Sequence, residues 1–315
     1  MHSNNNPLVS VIIPAYNHEQ FVQETIRSII AQTYQNIELI VVDDGSTDNT
    51  WNKINELKND CEKRFVQVYF ETKENEGTCK TLNRLISLTK GDYIYIIASD
   101  DVAKPYAIST LLENIKYKNA IVAVGDNEII DHNGERIGWN KKRNNCELKH
   151  AKYKTFGDFL KLKEKNINFG TYQQLLKGNH IPNGYLIEKK ALLQIPKFTE
   201  EAPLEDYFMH LQLAKIGKYC FIDEILLSYR WHADNTIKKT NKVKILSDNT
   251  LLYEEKLVAS MLNTQWQNIF RKEKYRTVIL FSLGKILKLY KTRNLFIKKT
   301  ILEIFGRQFI IKSNV

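Results

Sequence analysis

Ile37-Glu38-Leu39-Ile40-Val41-Val42-Asp43-Asp44-Gly45-Ser46 is the stretch on which the fold turns. A nearly continuous apolar run ends abruptly in two acids and a glycine. A strand that is apolar on both faces must be covered on both faces, as in a parallel sheet flanked by helices. The same grammar recurs on either side. Val9-Ser10-Val11-Ile12-Ile13 is closed by Pro14, Phe65 to Glu71 forms another β run, and Tyr93-Ile94-Tyr95-Ile96-Ile97-Ala98 stops at Ser99-Asp100-Asp101. Helical periodicity fills the intervals. Glu19 to Gln32 places Phe21, Thr25, Ile26, Ile29 and Ile30 on one face, Thr47 or Asp48 caps a helix to about Lys58, and Gly77 to Thr89 carries Leu82, Leu85, Ile86 and Leu88. The reading is α/β: a Rossmann-like, mostly parallel sheet. Ligands bind such sheets at the carboxyl ends of the strands, and acidic pairs stand at two of those ends.

The second half is less regular. Ala120 to Glu128 reads as a strand, and 139–180 as polar loops with a short helix near Phe156–Leu162. A strand at 184–187, a helix from about Leu204 to Ile216 and two short strands, Tyr219–Ile222 and Ile225–Tyr229, lead into Arg230-Trp231-His232. From Asn241 the pattern is helical, interrupted only by Gly284 and Gly306.

Charge divides the chain at the same place. Of a net +10, residues 238–315 carry 17 basic against 5 acidic residues, a net +12, which leaves the rest at −2. The sequence therefore predicts a body over 1–237 and a basic helical extension over 238–315. In the extension Ile279, Leu283, Ile286, Leu287 and Tyr290 line one face opposite Lys285, Lys288 and Lys291, and Ile297, Ile301, Ile304 and Phe305 oppose Lys298, Lys299 and Arg307. Such stripes pack on a protein core or lie on an anionic membrane surface. No run of 18 apolar residues and no signal-like start occurs, and the four cysteines lack C-x-x-C spacing. A cytoplasmic chain with reduced thiols is expected, at most peripheral on the inner face of the cell membrane.

Four groups of residues carry potential chemistry. Asp43-Asp44 reads either as turn chemistry or as a ligand-binding strand end. Ser99-Asp100-Asp101 is sharper, because adjacent carboxylates after an apolar strand repel unless a cation or hydrogen bonds compensate. A hard divalent ion, Mg²⁺ or Mn²⁺, held by one carboxylate with substrate phosphates fits that pattern. Glu205-Asp206 heads a helix, where acids also serve simply to complement the dipole. His232 is either a structural hydrogen bonder or a metal contact.

Read in order, Val9-Ser10-Val11-Ile12-Ile13-Pro14-Ala15-Tyr16-Asn17, Gln32-Thr33-Tyr34, Val41 to Asp48, Asn75-Glu76-Gly77 with Asn83, Lys90-Gly91-Asp92-Tyr93, Ala98-Ser99-Asp100-Asp101, Glu205-Asp206 and Tyr229 to Asn235 resemble family 2 glycosyltransferases of the bacterial polysaccharide or O-antigen type. The resemblance spans about residues 7–236. It implies a GT-A fold, a nucleotide-diphospho-sugar donor of UDP type, a divalent cation (Mn²⁺ or Mg²⁺), inversion at the anomeric carbon, and a saccharide or lipid-linked acceptor. By position, Pro14, Tyr16 and Asp44 would hold the base, with Asp44 accepting from uracil N3–H. Asp100 would face the ribose or the metal, Asp101 would ligate the metal, and Asp206 would be the general base. Lys80 would contact the diphosphate, and His232 the metal or diphosphate. Two departures stand out: Ser99 replaces a common Asp in the metal motif, and Thr81-Leu82-Asn83 replaces Ala-Arg-Asn.

Two other classes compete. A sugar-phosphate nucleotidyltransferase would carry a Gly-rich phosphate loop after the first strand, where Pro14-Ala15-Tyr16-Asn17 stands instead. A nucleic-acid binder would interleave aromatics with arginine in the basic tail, and here the aromatics sit on the apolar stripes. No nucleic-acid partner is expected.

Overall fold

The computed structural model describes residues 6–162, 168–232, 235 and 240–274. Four parallel strands form one half of the sheet: β1 (Val9–Ala15), β2 (Ile37–Asp43), β3 (Gln67–Thr72) and β4 (Tyr93–Ile96). Helices α1 (Val22–Ile30), α2 (Thr50–Asn55), α3 (Lys58–Arg64) and α4 (Thr78–Leu88) connect them. All seven residues of β2 are buried, as its apolar run requires. Its one acid inside the run, Glu38, is buried because its Oε1 accepts from Ser10 Oγ at 2.5 Å and from the backbone N–H of Lys90 and Gly91. That arrangement satisfies a charge that would otherwise be costly between two helix layers.

The remaining strands are β5 (Val102–Ala103), β6 (Val122–Ile130), β7 (Arg136–Trp139), β8 (Asn145–Cys146), β9 (Tyr185–Glu188) and β10 (Tyr219–Arg230). They extend the sheet in the order β3-β2-β1-β4-β9-β6-β10-β5, with β7 on β6 and β8 on β7. β9 enters antiparallel between β4 and β6, so the sheet is mixed but mostly parallel. The helices of this half are α5 (Ala107–Tyr117), α6 (Phe156–Leu160), α7 (Tyr172–Leu175), α8 (Lys189–Leu192), α9 (Glu205–Leu213) and α10 (Thr240–Ala259).

Three details differ from the sequence expectation. The single helix expected to about Lys58 is two, α2 and α3. The two short strands after 218 are one strand, β10, whose register against β6 shifts between Ile222 and Leu227. The polar pair Asp223-Glu224 makes that irregularity look like a loop. The chain divides into compact units between Leu262 and Asn263, so the first unit runs past residue 237 and includes α10. Helix α10 is tied to α9: Thr250 Oγ1 accepts from the Leu204 N–H at 3.1 Å, and buried Glu254 accepts from Tyr172, Gln212 and Lys215. The apolar stripes at 279–305 lie outside the described residues. Among the described residues no helix is long and apolar enough to cross a membrane.

Candidate functional site

The carboxyl ends of β1, β2, β4 and β10 meet on one edge of the sheet. After β1 the chain turns through Tyr16, Asn17 and His18, with Asn17 held at φ 51. Asn17 Oδ1 accepts from the Thr47 N–H at 2.8 Å and its own N–H donates to Ser46 Oγ, so the loops after β1 and β2 are laced together. The Asp43 carboxylate closes its own turn: it accepts from the Ser46 N–H and Oγ and from Thr72 Oγ1.

Asp44 is 5% exposed and faces the segment after β3. Lys73 Nζ donates to its Oδ1, the Glu76 N–H donates to Oδ1 at 3.0 Å and the Gly77 N–H to Oδ2 at 3.0 Å. Burial works to raise its pKa, but these donors outweigh it and hold the carboxyl below its ordinary range. Gly45, at φ +69, allows the close approach, since a Cβ there would sit 2.6 Å from the Asn75 nitrogen. Of the other donor-side residues named from the sequence, Pro14 is half-buried at the end of β1 and Tyr16 is 46% exposed at the rim. Lys80 is exposed on α4, 3.9 Å from Glu76.

After β4, the structure separates the two adjacent acids. The Asp100 carboxylate reaches His232, with Oδ2 2.9 Å from Nε2. His18, Asp100 and His232 each present one donor atom within a 4.8 Å span. Opposed ligands of a Mn²⁺- or Mg²⁺-sized ion stand roughly 4 Å apart, so the three converge closely enough for one cation. Two imidazoles with a carboxylate are a donor set that suits Mn²⁺ better than Mg²⁺. The residues present therefore fit a divalent ion.

Asp101, expected to ligate the metal, does not join this group. It is fully buried, with Oδ1 accepting from the Arg230 N–H at 3.0 Å and Oδ2 from Asn183 Nδ2 at 3.3 Å. Burial pushes it well above the usual carboxylate range, the Asp100 charge adds to that, and the donors from Arg230 and Asn183 oppose it. Ser99 and Asp100 lie in a turn after β4, with the Asp101 N–H on the Ala98 oxygen, and that turn sends the two carboxylates to different partners.

The wall behind the acids is Arg230, whose guanidinium is 1% exposed. It donates to the backbone oxygens of Asp100, Asp131 and His132 and to Glu24 Oε2. Asn235 holds the turn that follows, with Oδ1 accepting from the His232 N–H at 2.6 Å and Nδ2 donating to the Arg230 oxygen. Sequence reasoning missed His18, Lys73 and Asn183. None belongs to an acidic or aromatic cluster, and the only signal available was their distance from a strand end.

Asp206 heads α9. Its Oδ2 accepts from Asn179 Nδ2 at 2.8 Å and its Oδ1 from the Tyr207 N–H at 2.6 Å. Burial raises its pKa against the pull of those two donors, and it raises its neighbour Glu205 as well, with the Asp206 charge second. A carboxyl so placed takes up a proton more readily than an exposed one. Burial raises the Tyr229 phenol, and the charges of Asp101, Asp100 and Asp206 add to that.

Residues 10–180 match the family described as glycosyl transferase family 2. An uncharacterized glycosyltransferase of Haemophilus influenzae is 30% identical over 337 residues, covering 99% of both chains. The hyaluronan synthase of Pasteurella multocida is 31% identical over 242 residues, which are 76% of this chain and 22% of that one. Among solved structures, S. aureus TarS 1–349 in complex with UDP-GlcNAc superposes with a TM-score of 0.57 at 15% identity, covering 84% of this chain and 71% of that one. The mannosyltransferase PcManGT of Pyrobaculum calidifontis, in complex with GDP-Man and Mn²⁺, gives 0.51 at 15% identity, covering 91% and 82%. With the GT-A fold shared by those structures and a family match over more than half its length, the chain belongs to glycosyl transferase family 2.

Proposed function

We propose that this chain is an inverting glycosyltransferase that moves a sugar from a nucleotide-diphospho-sugar of UDP type to a hydroxyl of a saccharide or lipid-linked acceptor, in the synthesis of cell-surface polysaccharide. The observation that carries the reading is the convergence of His18, Asp100 and His232 at the sheet edge. The relatives' names and the ligands of the two solved neighbours, UDP-GlcNAc and GDP-Man with Mn²⁺, support it.

In this reading Asp100, His232 and His18 hold the divalent ion. When bound, the ion supplies positive charge opposite the departing diphosphate. Tyr16 and Pro14 flank the base. Asp44, which already accepts from Lys73 and from the Glu76 and Gly77 N–H groups with the Thr81 hydroxyl beside it, also takes a ring N–H such as uracil N3–H in this reading. Lys80 on α4 reaches toward the diphosphate. Asp206 takes the proton of the acceptor hydroxyl as that oxygen attacks the anomeric carbon, and its raised proton affinity suits a general base. The basic stretch at 279–305, with its amphipathic sequence pattern, would bring the enzyme to an anionic membrane face where a lipid-linked acceptor resides.

The test is donor hydrolysis across UDP-, GDP- and dTDP-sugars with and without Mn²⁺. Mn²⁺-dependent release of UDP supports the assignment. Equal, metal-indifferent turnover of all donors, or none of any, contradicts it.

A further inference from the structure

Beside the candidate site lies a second, smaller apolar cluster formed by Ile129, Trp139, Tyr229 and Trp231, with Phe156 and Phe159 packed against it. A cation sits inside it. The Arg143 guanidinium carbon is 4.5 Å from the Trp139 ring centre, 4.6 Å from Phe159, 4.8 Å from Trp231 and 5.9 Å from Phe156. Arg143 belongs to the turn between β7 and β8, where its N–H bonds to the Asn140 oxygen and Asn140 Oδ1 accepts from Lys142 and Asn144. Its backbone is left-handed, at φ 65, a conformation that disfavours a side chain with a Cβ. The turn thus accepts strain while it directs a charged side chain inward.

The guanidinium is incompletely partnered. Nε and Nη2 are shielded from solvent and make no hydrogen bond, and the Trp139 indole Nε1 in the same cluster is equally unpartnered. Among the described residues no carboxylate pairs with Arg143. Ring faces offset part of the cost of burying a cation, but they do not satisfy N–H donors. Nε and Nη2 together form one edge of the guanidinium, with two parallel N–H bonds spaced for the two oxygens of a carboxylate or phosphate. Three orphan donors with no orphan acceptor among them in this cluster call for an acceptor, and the positive charge and the fork geometry of the guanidinium favour an anionic one.

Position indicates whose anion it is. Asp44 follows β2 and Tyr16 follows β1, whereas Trp139 ends β7, beyond β9 and β6 in the sheet order. Trp231 directly precedes His232, and Tyr229 lies in the field of Arg143 as well as of Asp100 and Asp206. The cluster therefore borders the site on the side away from the residues assigned to the base.

We propose that the aromatic-walled Arg143 fork, with Trp139 Nε1, is an acceptor subsite that binds an anionic group, carboxylate or phosphate, carried by the acceptor saccharide. This rests on the glycosyltransferase reading above and names the chemical class of its acceptor. The rings offer faces to the sugar, and the 140–144 turn, which carries Arg143, has to shift with it to admit the ligand.

The test needs no donor, so its outcome is separate from that of the turnover assay. Tryptophan fluorescence of the full chain, in which Trp139 and Trp231 report from the cluster, is titrated with methyl glucuronide, glucose 1-phosphate and methyl glucoside. At least one charged saccharide should bind about tenfold or more tighter than the neutral glycoside. Arg143→Met should abolish that preference, and Arg143→Lys, which keeps the charge but loses the fork, should retain only part of it. A preference confined to the glucuronide or to the phosphate identifies which anion the fork takes. Equal binding of all three by the wild type, or an undiminished preference in a folded Arg143→Met or Arg143→Lys protein, overturns the proposal.

Discussion

At residue scale the account turns on carboxylates whose surroundings give them different tasks. Asp44 is surrounded by donors and held ionised, Asp101 is buried against Arg230 and Asn183, and Asp206 has its proton affinity raised by burial. Asp206→Asn keeps the shape and the Tyr207 N–H contact but cannot accept a proton. It should lower turnover by about 10²–10⁴-fold with little change in donor affinity. The sign of the pH dependence follows from the raised pKa. The proposed base is neutralised as pH falls, so wild-type turnover should decline on an acid limb whose midpoint lies above the ordinary carboxylate range. The residual activity of the Asn variant should lack that limb. Rates and donor Kd measured across pH check both points, and collapse of donor binding in the variant would make Asp206 a binding residue. As candidates, Asp44, Asp100, Asp206 and His232 were legible from their strand and helix ends, and the structure brings Asp100 and His232 within hydrogen-bond distance. The choice between Asp100 and Asp101 was not. Which of two consecutive acids faces the cleft depends on how the chain leaves β4, and β10 sets that by placing the Arg230 N–H against Asp101.

At the scale of elements, β1, β2 and β4 could be read within a residue or two because their apolar runs are bounded by proline, glycine and acids. Helix α10 was harder. Its sequence is polar enough to pass for the start of a solvated extension, and Glu254 looks like one more surface acid. Glu254 is in fact wholly buried, 2.7 Å from Lys215 Nζ, and receives the Tyr172 hydroxyl and the Gln212 amide. The pairing is visible only after α9 and α10 are docked. Removing one partner of a buried ion pair strands the other charge, so Glu254→Ala should cost about 3–5 kcal/mol of stability. Urea unfolding of the two proteins measures this. A loss under about 1 kcal/mol would mean that α10 does not hold α9.

For the whole molecule, the unit boundary after Leu262 decides where the chain can be cut. A protein ending at Leu262 keeps α10 and should melt like the full chain, yet lose flotation with anionic vesicles because residues 279–305 are gone. One ending at Thr240 lacks Thr250 and Glu254 and should aggregate, since it exposes the face of α9 and leaves Lys215 unpaired. Thermal melts beside flotation on anionic and neutral vesicles separate the two, and normal flotation of the Leu262 form would remove the membrane role. The central claim is that the His18, Asp100 and His232 group holds the cation that serves a nucleotide-sugar site. Titration of Mn²⁺ into the UDP-saturated protein, followed by electron paramagnetic resonance, addresses it directly. Asp100→Asn and His232→Ala should each weaken Mn²⁺ binding by about tenfold or more, while Asp101→Asn stays near wild type. Loss of Mn²⁺ in Asp101→Asn with retention in Asp100→Asn would contradict the account.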